Sequence, residues 1–394
     1  MTVVVVGAGL AGLRAAEAVR GHGLAVTVLG DERHLPYNRP PLSKAALRES
    51  ATAADLAFRI RRDDLGWRLG QPVVGLDLYR REVLLADDTV PFDALIIATG
   101  IRPRVLPVPG PPPMVLRTVE DAEALRRALT PGRRLLIIGA GFIGCEVAAT
   151  ARAMGCAVTV CAADAEPMIR PLGEHLGAGL RRRHEQAGVE FHLGVGVSGY
   201  EPSGVTLSDG RTLTADVILS AVGSVPNTQW CAGNGLDLVD GVLTDNRLCA
   251  VRTTAAGEEG AEAPVLAVGD IARFPNPLFD EVPRRIEHWS MPTDTGRRAG
   301  AVIAALLAGQ SPALDFRPLP SFWSDQYDAT LQSFGMPALG VPTLASGSWD
   351  GDCIVEYHRD DVLVGVVGVN RTRELATYRP RIGSVSDASQ PAAD

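Results

Sequence analysis

Two glycine-rich loops, each following an apolar strand and preceding a helix, restrict what this chain can fold into. The first loop follows an apolar run at residues 3–6 and reads Gly7-Ala8-Gly9-Leu10-Ala11-Gly12. In such a loop the first glycine permits a tight turn, the second lets the backbone approach a pyrophosphate, and the third lets helix and strand pack closely. A helix is predicted through Arg20 and a second strand at residues 25–29, which completes one strand–helix–strand unit.

The same pattern occurs a second time. Residues 134–138 are predicted to form a strand, the loop Gly139-Ala140-Gly141-Phe142-Ile143-Gly144 follows, and a helix to Met154 leads to a strand at residues 157–161. Phosphates bind such units at the free N–H groups and the positive end of the helix. Two such units predict two bound dinucleotides, and therefore hydride transfer from one cofactor to the other.

A dinucleotide-binding unit commonly places an acidic residue after its second strand, where the carboxylate binds a ribose. Asp31 and Glu32 follow the second strand of the first unit, at about the expected 20 residues past the glycines. The first unit therefore contains every element that the pattern requires.

The second unit lacks this acid at the expected position, which is Ala162. Asp164 or Glu166 is the nearest substitute, if the strand ends later than predicted. No arginine follows until Arg170, so a 2′-phosphate has no evident ligand. The second unit therefore favours NADH, and NADPH remains open.

The composition indicates a cytoplasmic protein of several domains. A chain of 394 residues is too long for one ordinary core, and its net charge of −8 gives no sign of nucleic-acid binding. No apolar run reaches the roughly 18 residues of a membrane span, and no signal peptide is expected after Met1. The cysteines and histidines have no metal-ligand spacing, so no metal site is expected. Lys44 is the only lysine of the chain.

Several motifs together resemble the ferredoxin reductases that pass electrons to cytochromes P450 and ring-hydroxylating oxygenases. These motifs are Pro36-Tyr37-Asn38-Arg39-Pro40-Pro41-Leu42-Ser43-Lys44, Ala98-Thr99-Gly100, the second loop through Glu146, Val222-Gly223-Ser224-Val225-Pro226-Asn227, Val268-Gly269-Asp270, Glu287-His288-Trp289 and Phe322-Trp323-Ser324-Asp325-Gln326-Tyr327. The resemblance covers nearly the whole chain.

The resemblance implies an α/β fold with two Rossmann-like dinucleotide-binding domains, one for FAD and one for NAD, plus a small C-terminal α+β interface domain. The implied FAD-binding domain is discontinuous, at residues 1–109 and 240–318. The implied NAD(P)H-binding domain covers residues 110–239 and the interface domain residues 319–383. A disordered tail is predicted at residues 384–394.

The resemblance also implies roles for individual residues. Asp270 would bind the ribityl chain of FAD, Lys44 would lie near flavin N5, and Glu146 would lie across from that lysine. Trp289 would border the pyrimidine edge of the flavin, and Trp323 the place where the interface domain meets it. The implied cofactor-binding positions beyond the two loops are Asp31, Glu32, Arg39, Pro40, Lys44, Ala98, Thr99, Gly100, Glu146, Asp164, Gly223, Gly269, Asp270, Glu287, His288, Trp289 and Trp323.

Lys44 and Glu146 are the candidate catalytic residues. A cation near flavin N5 would stabilise the negative charge of the reduced ring, and a carboxylate partner would fix the position of that cation. A compact ammonium and a flat guanidinium are not equivalent in this role. An ordinary ion pair is the alternative, and the survival of one lysine in an arginine-rich chain speaks against it.

The absence of cysteine from residues 37–47 separates this chain from flavoproteins that use a reactive thiol. Electrons must then leave the flavin directly. We expect an FAD-dependent NADH:ferredoxin oxidoreductase, with an iron–sulfur ferredoxin as acceptor and a P450 or ring-hydroxylating oxygenase downstream. The alternatives are a related flavoenzyme that reduces oxygen or a quinone, and a redox-sensing protein resembling apoptosis-inducing factor.

Overall fold

A computed structural model describes residues 1–252, 263–313 and 316–384, and the chain divides into two compact units. Residues Met1–Asn38, Ala53–Arg102 and Val225–Pro320 form the first unit. The second unit comprises Arg39–Thr52, Pro103–Ser224 and the chain from Ser321 onward.

A five-stranded parallel sheet forms the centre of the first unit. Its strands, in spatial order, are Val265–Ala267, Ala94–Ile97, Thr2–Val6, Ala25–Leu29 and Gly66–Arg68. The central strand is a run of valines that are 0–2% exposed. A strand buried on both faces is expected to be continuously apolar and rich in β-branched residues, as this one is.

Two helices and two smaller sheets complete the first unit. The helix Leu10–Gly21 packs against the helix Met291–Leu307 through small residues: a Cβ at Gly296 or Gly300 would overlap the backbone of the other helix. The remaining strands are Val73–Asp77, Glu82–Leu85 and Thr89–Pro91 in one sheet, and Val242–Leu243, Ala272–Asn276 and Asp280–Arg285 in the other.

The second unit contains a four-stranded parallel sheet. Counted from the opposite end, its strand order is that of the first sheet without the outer strand Val265–Ala267. Its strands, in spatial order, are Val189–Leu193, Ala157–Ala162, Arg134–Ile138 and Val217–Ser220. The first two strands of the two sheets pair in the same register, with Thr2 opposite Ala25 and Arg134 opposite Ala157. A three-stranded antiparallel sheet again accompanies the parallel one, at Val197–Glu201, Gly204–Leu207 and Thr212–Thr214.

A five-stranded antiparallel sheet formed after Ser321 also belongs to the second unit. In spatial order its strands are Ser321–Gln326, Ala329–Gly335, Val362–Val369, Cys353–Arg359 and Val341–Gly347. The α-helices of the unit are Ala45–Arg48, Val119–Ala128, Phe142–Ala153, Ile169–Leu172, Glu174–Gln186 and Thr372–Ala376. Two short strands, Ile101–Pro103 and Ser224–Pro226, occur where the chain passes from one unit to the other.

The predicted fold class is confirmed: α/β, with two units of dinucleotide-binding topology and a small C-terminal sheet with short helices. The predicted domain boundaries stay a prediction. The compact units group Arg39–Thr52 with the second glycine loop rather than with the first. The predicted tail, apart from Ser384, lies outside the described residues. Across the described ranges, the helices are all too short or too polar to cross a membrane.

Candidate functional site

The first glycine loop follows the strand Thr2–Val6. Gly7 has a φ of +115°, and a Cβ there would overlap the carbonyl group of Ala98. A Cβ at Gly12 would overlap the carbonyl group of Gly7. No described atom lies within 4 Å of the place that a Cβ of Gly9 would take. The loop is therefore closed around its first and third glycines and open at the second, as pyrophosphate binding requires.

The acids of the first unit stand directly after the strand Ala25–Leu29. Asp31 is exposed and accepts a hydrogen bond from the backbone N–H of Glu32 (3.0 Å). Glu32 is half-buried and accepts one from the hydroxyl of Tyr37 (2.6 Å). Both carboxylates lie at the carboxyl edge of the parallel sheet, where the ribose-binding acid of such a unit is expected.

The distant Gly269-Asp270 pair lies at the same edge of the first unit. The short 3₁₀ turn Gly269–Ile271 follows the strand Val265–Ala267, and the Gly269 N–H donates to Thr295 Oγ1 (2.9 Å). A Cβ at Gly269 would crowd the side chain of Ala11, which lies at the start of the loop helix. Residues far apart in sequence thus meet at the first loop.

Two further motifs of the first unit hold each other in place. Thr99 Oγ1 donates to the carbonyl of Asn227 (2.9 Å), and the Asn227 amide donates to the carbonyl of Thr99 (2.9 Å). The N–H of Asn227 also donates to the carbonyl of Gly100 (3.0 Å), and the N–H of Ala98 to that of Val6 (2.7 Å). The segment Ala98-Thr99-Gly100 is therefore fixed beside the first glycine loop.

The Glu287-His288-Trp289 motif is tied to Asp270 through an arginine. Arg285 donates to Glu287 Oε1 (2.6 Å) and to the backbone carbonyl of Asp270 (3.1 Å). Loss of solvent lowers the pKa of the partly buried His288 to about 4, so its ring is neutral at pH 7. Trp289 is 41% exposed and donates to Asn38 Oδ1 (3.4 Å), so it is not a core residue.

The second glycine loop repeats the geometry of the first. Gly139 has a φ of +102°, a Cβ there would overlap the carbonyl of Ala221, and a Cβ at Gly144 would overlap the carbonyl of Gly139. No described atom lies within 4 Å of a Cβ built at Gly141. Gly223, with a φ of +96°, is similarly open among the described residues. The helix Phe142–Ala153, like the first loop helix, has no side-chain cap from the described residues, which leaves its first N–H groups for an anion.

The strand that precedes the missing acid ends at Ala162, one residue later than predicted. Asp164 lies beyond the strand, is 45% exposed at its side chain and pairs with Arg170 (3.4 Å). Glu166 is more buried and receives two hydrogen bonds from Arg181, at 2.8 and 3.3 Å. Because Glu166 is committed to Arg181, Asp164 is the better candidate for a ribose ligand.

Lys44 and Glu146 meet in the second unit. Lys44 follows the 3₁₀ turn Pro40–Ser43, and its Nζ lies 2.6 Å from Glu146 Oε2 and 3.3 Å from the carbonyl of Pro40. Glu146 projects from the second turn of the helix Phe142–Ala153 and is only 6% exposed. The pair is therefore a buried carboxylate that holds the one ammonium side chain of this chain.

The Glu146 carboxylate has two further partners in the second unit. Ser43 donates to Oε2 (2.5 Å) and Ser324 to Oε1 (2.7 Å). Ser43 is itself held because Thr150, one turn further along the helix of Glu146, donates to its carbonyl (2.8 Å). Three donors from two segments of the chain thus fix both oxygens of the carboxylate.

Two other predicted positions of the second unit flank this cluster in sequence. Arg39 donates to the carbonyl of Arg117 (2.8 Å), directly before Pro40 begins the 3₁₀ turn. Trp323 is half-buried and stands next to Ser324 in the strand Ser321–Gln326.

Residues 1–296 match the pyridine nucleotide-disulphide oxidoreductase family, and residues 321–393 match the reductase C-terminal family. The chain is 36% identical to rhodocoxin reductase of Rhodococcus erythropolis, over 96% of this chain and 88% of that protein. It is 35% identical to the ferredoxin–NAD(+) reductase subunit of the benzene 1,2-dioxygenase system of Pseudomonas putida, over 95% and 90%. A solved covalent complex of putidaredoxin reductase with putidaredoxin matches with a TM-score of 0.85 and 32% identity, covering 96% of this chain and 92% of that one.

The chain belongs to the pyridine nucleotide-disulphide oxidoreductase family, among its ferredoxin reductases. The predicted family is therefore confirmed. The individual roles of the predicted site residues stay predictions.

The cysteines of this family member are unsuited to thiol chemistry. All six are free, and five of them are buried. Burial raises the pKa of Cys145 and Cys161 to about 12 and that of Cys249 and Cys353 to about 11. A thiol with a raised pKa forms little of the reactive thiolate at neutral pH.

Sequence reasoning missed the polar side chains that surround Glu146. Ser324 and Gln326 belong to a motif in which only Trp323 received a role, and His184 received none. A signal was available in the strand Ser321–Gln326, since alternate residues of a strand share one face. Phe322, Ser324 and Gln326 occupy its buried face, where two of the three positions are polar.

Proposed function

We propose that this chain is an FAD-dependent reductase that takes electrons from NADH and delivers them to a ferredoxin, which in turn serves a P450 or a ring-hydroxylating oxygenase. The observation that carries the proposal is the likeness over nearly the full length of both chains to reductases named for such systems. The absence of cysteine from residues 37–47 agrees with the proposal, since electron transfer from the flavin to a ferredoxin requires no thiol.

In the proposed arrangement the two units bind different dinucleotides. The first unit would hold FAD at the open backbone of Gly9, with Asp31 or Glu32 at a ribose and Asp270 at the ribityl chain. The second unit would hold NADH at the open backbone of Gly141, with Asp164 at a ribose. Bound FAD would accept a hydride from NADH and give up two electrons one at a time.

The protein's own contribution is to place charges. Lys44 would supply a positive charge that favours the electron-rich form of the flavin, and Glu146 would hold that charge in one position. Ser43 and Ser324 keep the carboxylate of Glu146 from rotating. Because this cluster is almost buried, little water screens it.

The test uses purified protein loaded with FAD. NADH should bleach the flavin under anaerobic conditions, and cytochrome c should be reduced rapidly only after a [2Fe–2S] ferredoxin, such as putidaredoxin, is added. A panel of ferredoxins guards against a mismatch with a single one. Fast NADH turnover with oxygen or a quinone, together with failure on the whole panel, would replace the proposal by a flavoenzyme with a small-molecule acceptor.

A further inference from the structure

A chain of hydrogen bonds, buried except at its outer end, extends from Glu146 through the second unit to the exposed Tyr327. Ser324 donates to Glu146 Oε1 (2.7 Å), and the amide nitrogen of Gln326 donates to Ser324 Oγ (3.1 Å). The amide oxygen of Gln326 lies 2.8 Å from His184 Nε2, and the hydroxyl of Tyr327 lies 3.3 Å from His184 Nδ1. Four residues, three from one β-hairpin and one from the helix Glu174–Gln186, are thus connected to one carboxylate.

The three middle residues of this hydrogen-bond chain are almost completely shielded from solvent. Ser324 is 0%, His184 1% and Gln326 2% exposed. Burying polar side chains costs free energy unless each has a hydrogen-bond partner, and apolar side chains at these positions would avoid that cost. Such a network at a position adjoining a candidate catalytic carboxylate calls for a function beyond packing.

The donor and acceptor groups of this hydrogen-bond chain determine the direction in which its hydrogen bonds point. The Gln326 amide nitrogen faces Ser324 Oγ and Met168 Sδ, so its oxygen must be the acceptor that faces His184. His184 Nε2 therefore carries the proton. Burial lowers the pKa of His184, so the ring is neutral and its Nδ1 is free to accept from Tyr327. Every donor then points toward the Glu146 carboxylate, an arrangement in which each bond polarises the next.

The ends of the chain are held by local structure. His184 lies in the last turn of the helix Glu174–Gln186, where Tyr327 and Phe191 pack against its ring edge-on, at centroid distances of 5.0 and 5.8 Å. Tyr327 occupies the two-residue turn between the strands Ser321–Gln326 and Ala329–Gly335, with a left-handed φ of +56°. Such a backbone is uncommon for a bulky residue, and here it directs the phenol to the histidine.

We propose that His184, Gln326 and Ser324 are positioning residues that orient the Glu146 carboxylate and, through it, the Lys44 ammonium for flavin reduction. The inference rests on the proposed function, since it assigns the three residues to the same site. None of them needs to touch a cofactor. They act by holding Glu146 Oε1 so that Oε2 remains directed to Lys44.

The test compares Ser324→Ala with Ser333→Ala, both alone and in a Glu146→Gln background. Ser333 is a matched control because it is equally buried (1%) in the neighbouring strand and its hydroxyl makes no hydrogen bond to any described residue. Ser324→Ala should slow anaerobic flavin reduction by NADH about tenfold, because a misplaced catalytic group costs at least that much. It should also lower the midpoint potential of the flavin. Ser333→Ala should change neither.

The double variants separate positioning from general damage to the structure. In the Glu146→Gln background, Ser324→Ala should have no further effect on the rate, since the group that it positions is already lost. Equal slowing in both backgrounds, or an unchanged potential, would overturn the inference. If Glu146→Gln alone reduces its flavin at the wild-type rate, the role of Glu146 in the proposed function fails instead.

His184 is tested by its tautomer and by its own variant. In ¹⁵N-histidine-labelled protein, the NMR shifts should show a neutral His184 ring protonated at Nε2 at pH 7. A ring protonated at Nδ1, or charged, would contradict the direction of the chain. His184→Leu should slow flavin reduction about threefold, by a coupling that vanishes in Glu146→Gln. Should His184→Leu fail to fold, Gln326→Leu breaks the same link and must show the same coupling.

Discussion

The two strand–helix–strand units share a backbone and differ in what their helices carry. Gly7, Gly9 and Gly12 correspond one by one to Gly139, Gly141 and Gly144, with the same overlaps and the same open position. Two residues after the third glycine, the first helix has Arg14 and the second has Glu146. Arg14 pairs with Glu17 of its own helix (2.7 Å), whereas Glu146 pairs with Lys44 from a different segment (2.6 Å).

The difference shows which part of the motif is set by binding and which by chemistry. Phosphate binding requires the glycines, because any side chain at these positions would overlap the neighbouring backbone or block the approach of a pyrophosphate. The position two residues after the third glycine is not subject to this requirement, and the two units have different residues there. One copy uses it for an ion pair within a helix, and the other uses it to hold the single lysine.

The largest expected effect on cofactor binding comes from closing the open glycine of each unit. Gly9 and Gly141 have φ values of −89° and −83°, which alanine adopts without strain, so both variants should fold. Gly9→Ala should lower bound FAD about tenfold or more, because the new methyl group lies where a pyrophosphate approaches. Gly141→Ala should keep FAD and weaken NADH binding by a similar factor. Flavin absorbance per protein and NADH titration measure the two.

Thermal unfolding of the protein stripped of cofactor is the control for both variants. The unfolding temperature should stay at the wild-type value. Loss of FAD in Gly141→Ala, with retention in Gly9→Ala, would reverse the assignment of the two dinucleotides to the two units.

The largest expected effect on the rate of flavin reduction concerns the matched charges. Lys44→Ala should slow anaerobic flavin reduction by NADH roughly a hundredfold, since a preorganised charge near a reacting group contributes about that much. Lys44→Arg should recover only part of the rate, because a guanidinium does not fill the place of an ammonium. Arg14→Ala, at the matched position of the first unit, should leave the rate within about twofold. A wild-type stopped-flow rate in Lys44→Ala would remove Lys44 from the mechanism.

The strands that are marked by a local sequence pattern could be predicted from the sequence. The strands Ala25–Leu29 and Arg134–Ile138 were predicted at their observed bounds, because each is an apolar run bounded by turn residues. The short edge strand Gly66–Arg68 was not predicted, since three residues without an apolar pattern give no signal. It exists because a parallel neighbour offers it hydrogen bonds.

The site residues that belong to recognised sequence motifs could be predicted. The contacts that depend on how distant segments pack together could not. The Lys44–Glu146 contact was expected from resemblance, and the structure brings their atoms together. The network of His184 and Gln326 joins residues 142 positions apart, which no local period reveals. Only the polar residues on the buried face of the strand Ser321–Gln326 hinted at it.

The candidate ribose ligand of the second unit, Asp164, gives a smaller expected effect. Glu32 of the first unit corresponds in sequence to Asp164 of the second, so both are candidate ribose ligands. Asp164→Ala should raise the KM for NADH about fivefold with little change in kcat, the loss of one or two hydrogen bonds. It should also release Arg170 and narrow the preference for NADH over NADPH.

Glu166→Gln is the matched control for Asp164→Ala. It should leave the KM for NADH nearly unchanged, because Glu166 is occupied by Arg181. An NADPH-preferring wild-type enzyme would mean that neither acid binds the ribose and that Arg170 has the dominant role.

The smallest effect is expected at Cys145, which stands where the first unit has the fully buried Leu13. Burial, reinforced by the negative charge of Glu146, raises the pKa of Cys145 from 9.0 to about 12. A raised pKa means that the thiolate appears only near that pH, so at pH 8 about one molecule in ten thousand carries it. Iodoacetamide at pH 8 should therefore leave flavin reduction unchanged, and Cys145→Ala should do the same. Inactivation by alkylation that Cys145→Ala prevents would restore a thiol to the mechanism, and the second loop helix would then contribute more to the chemistry than its carboxylate.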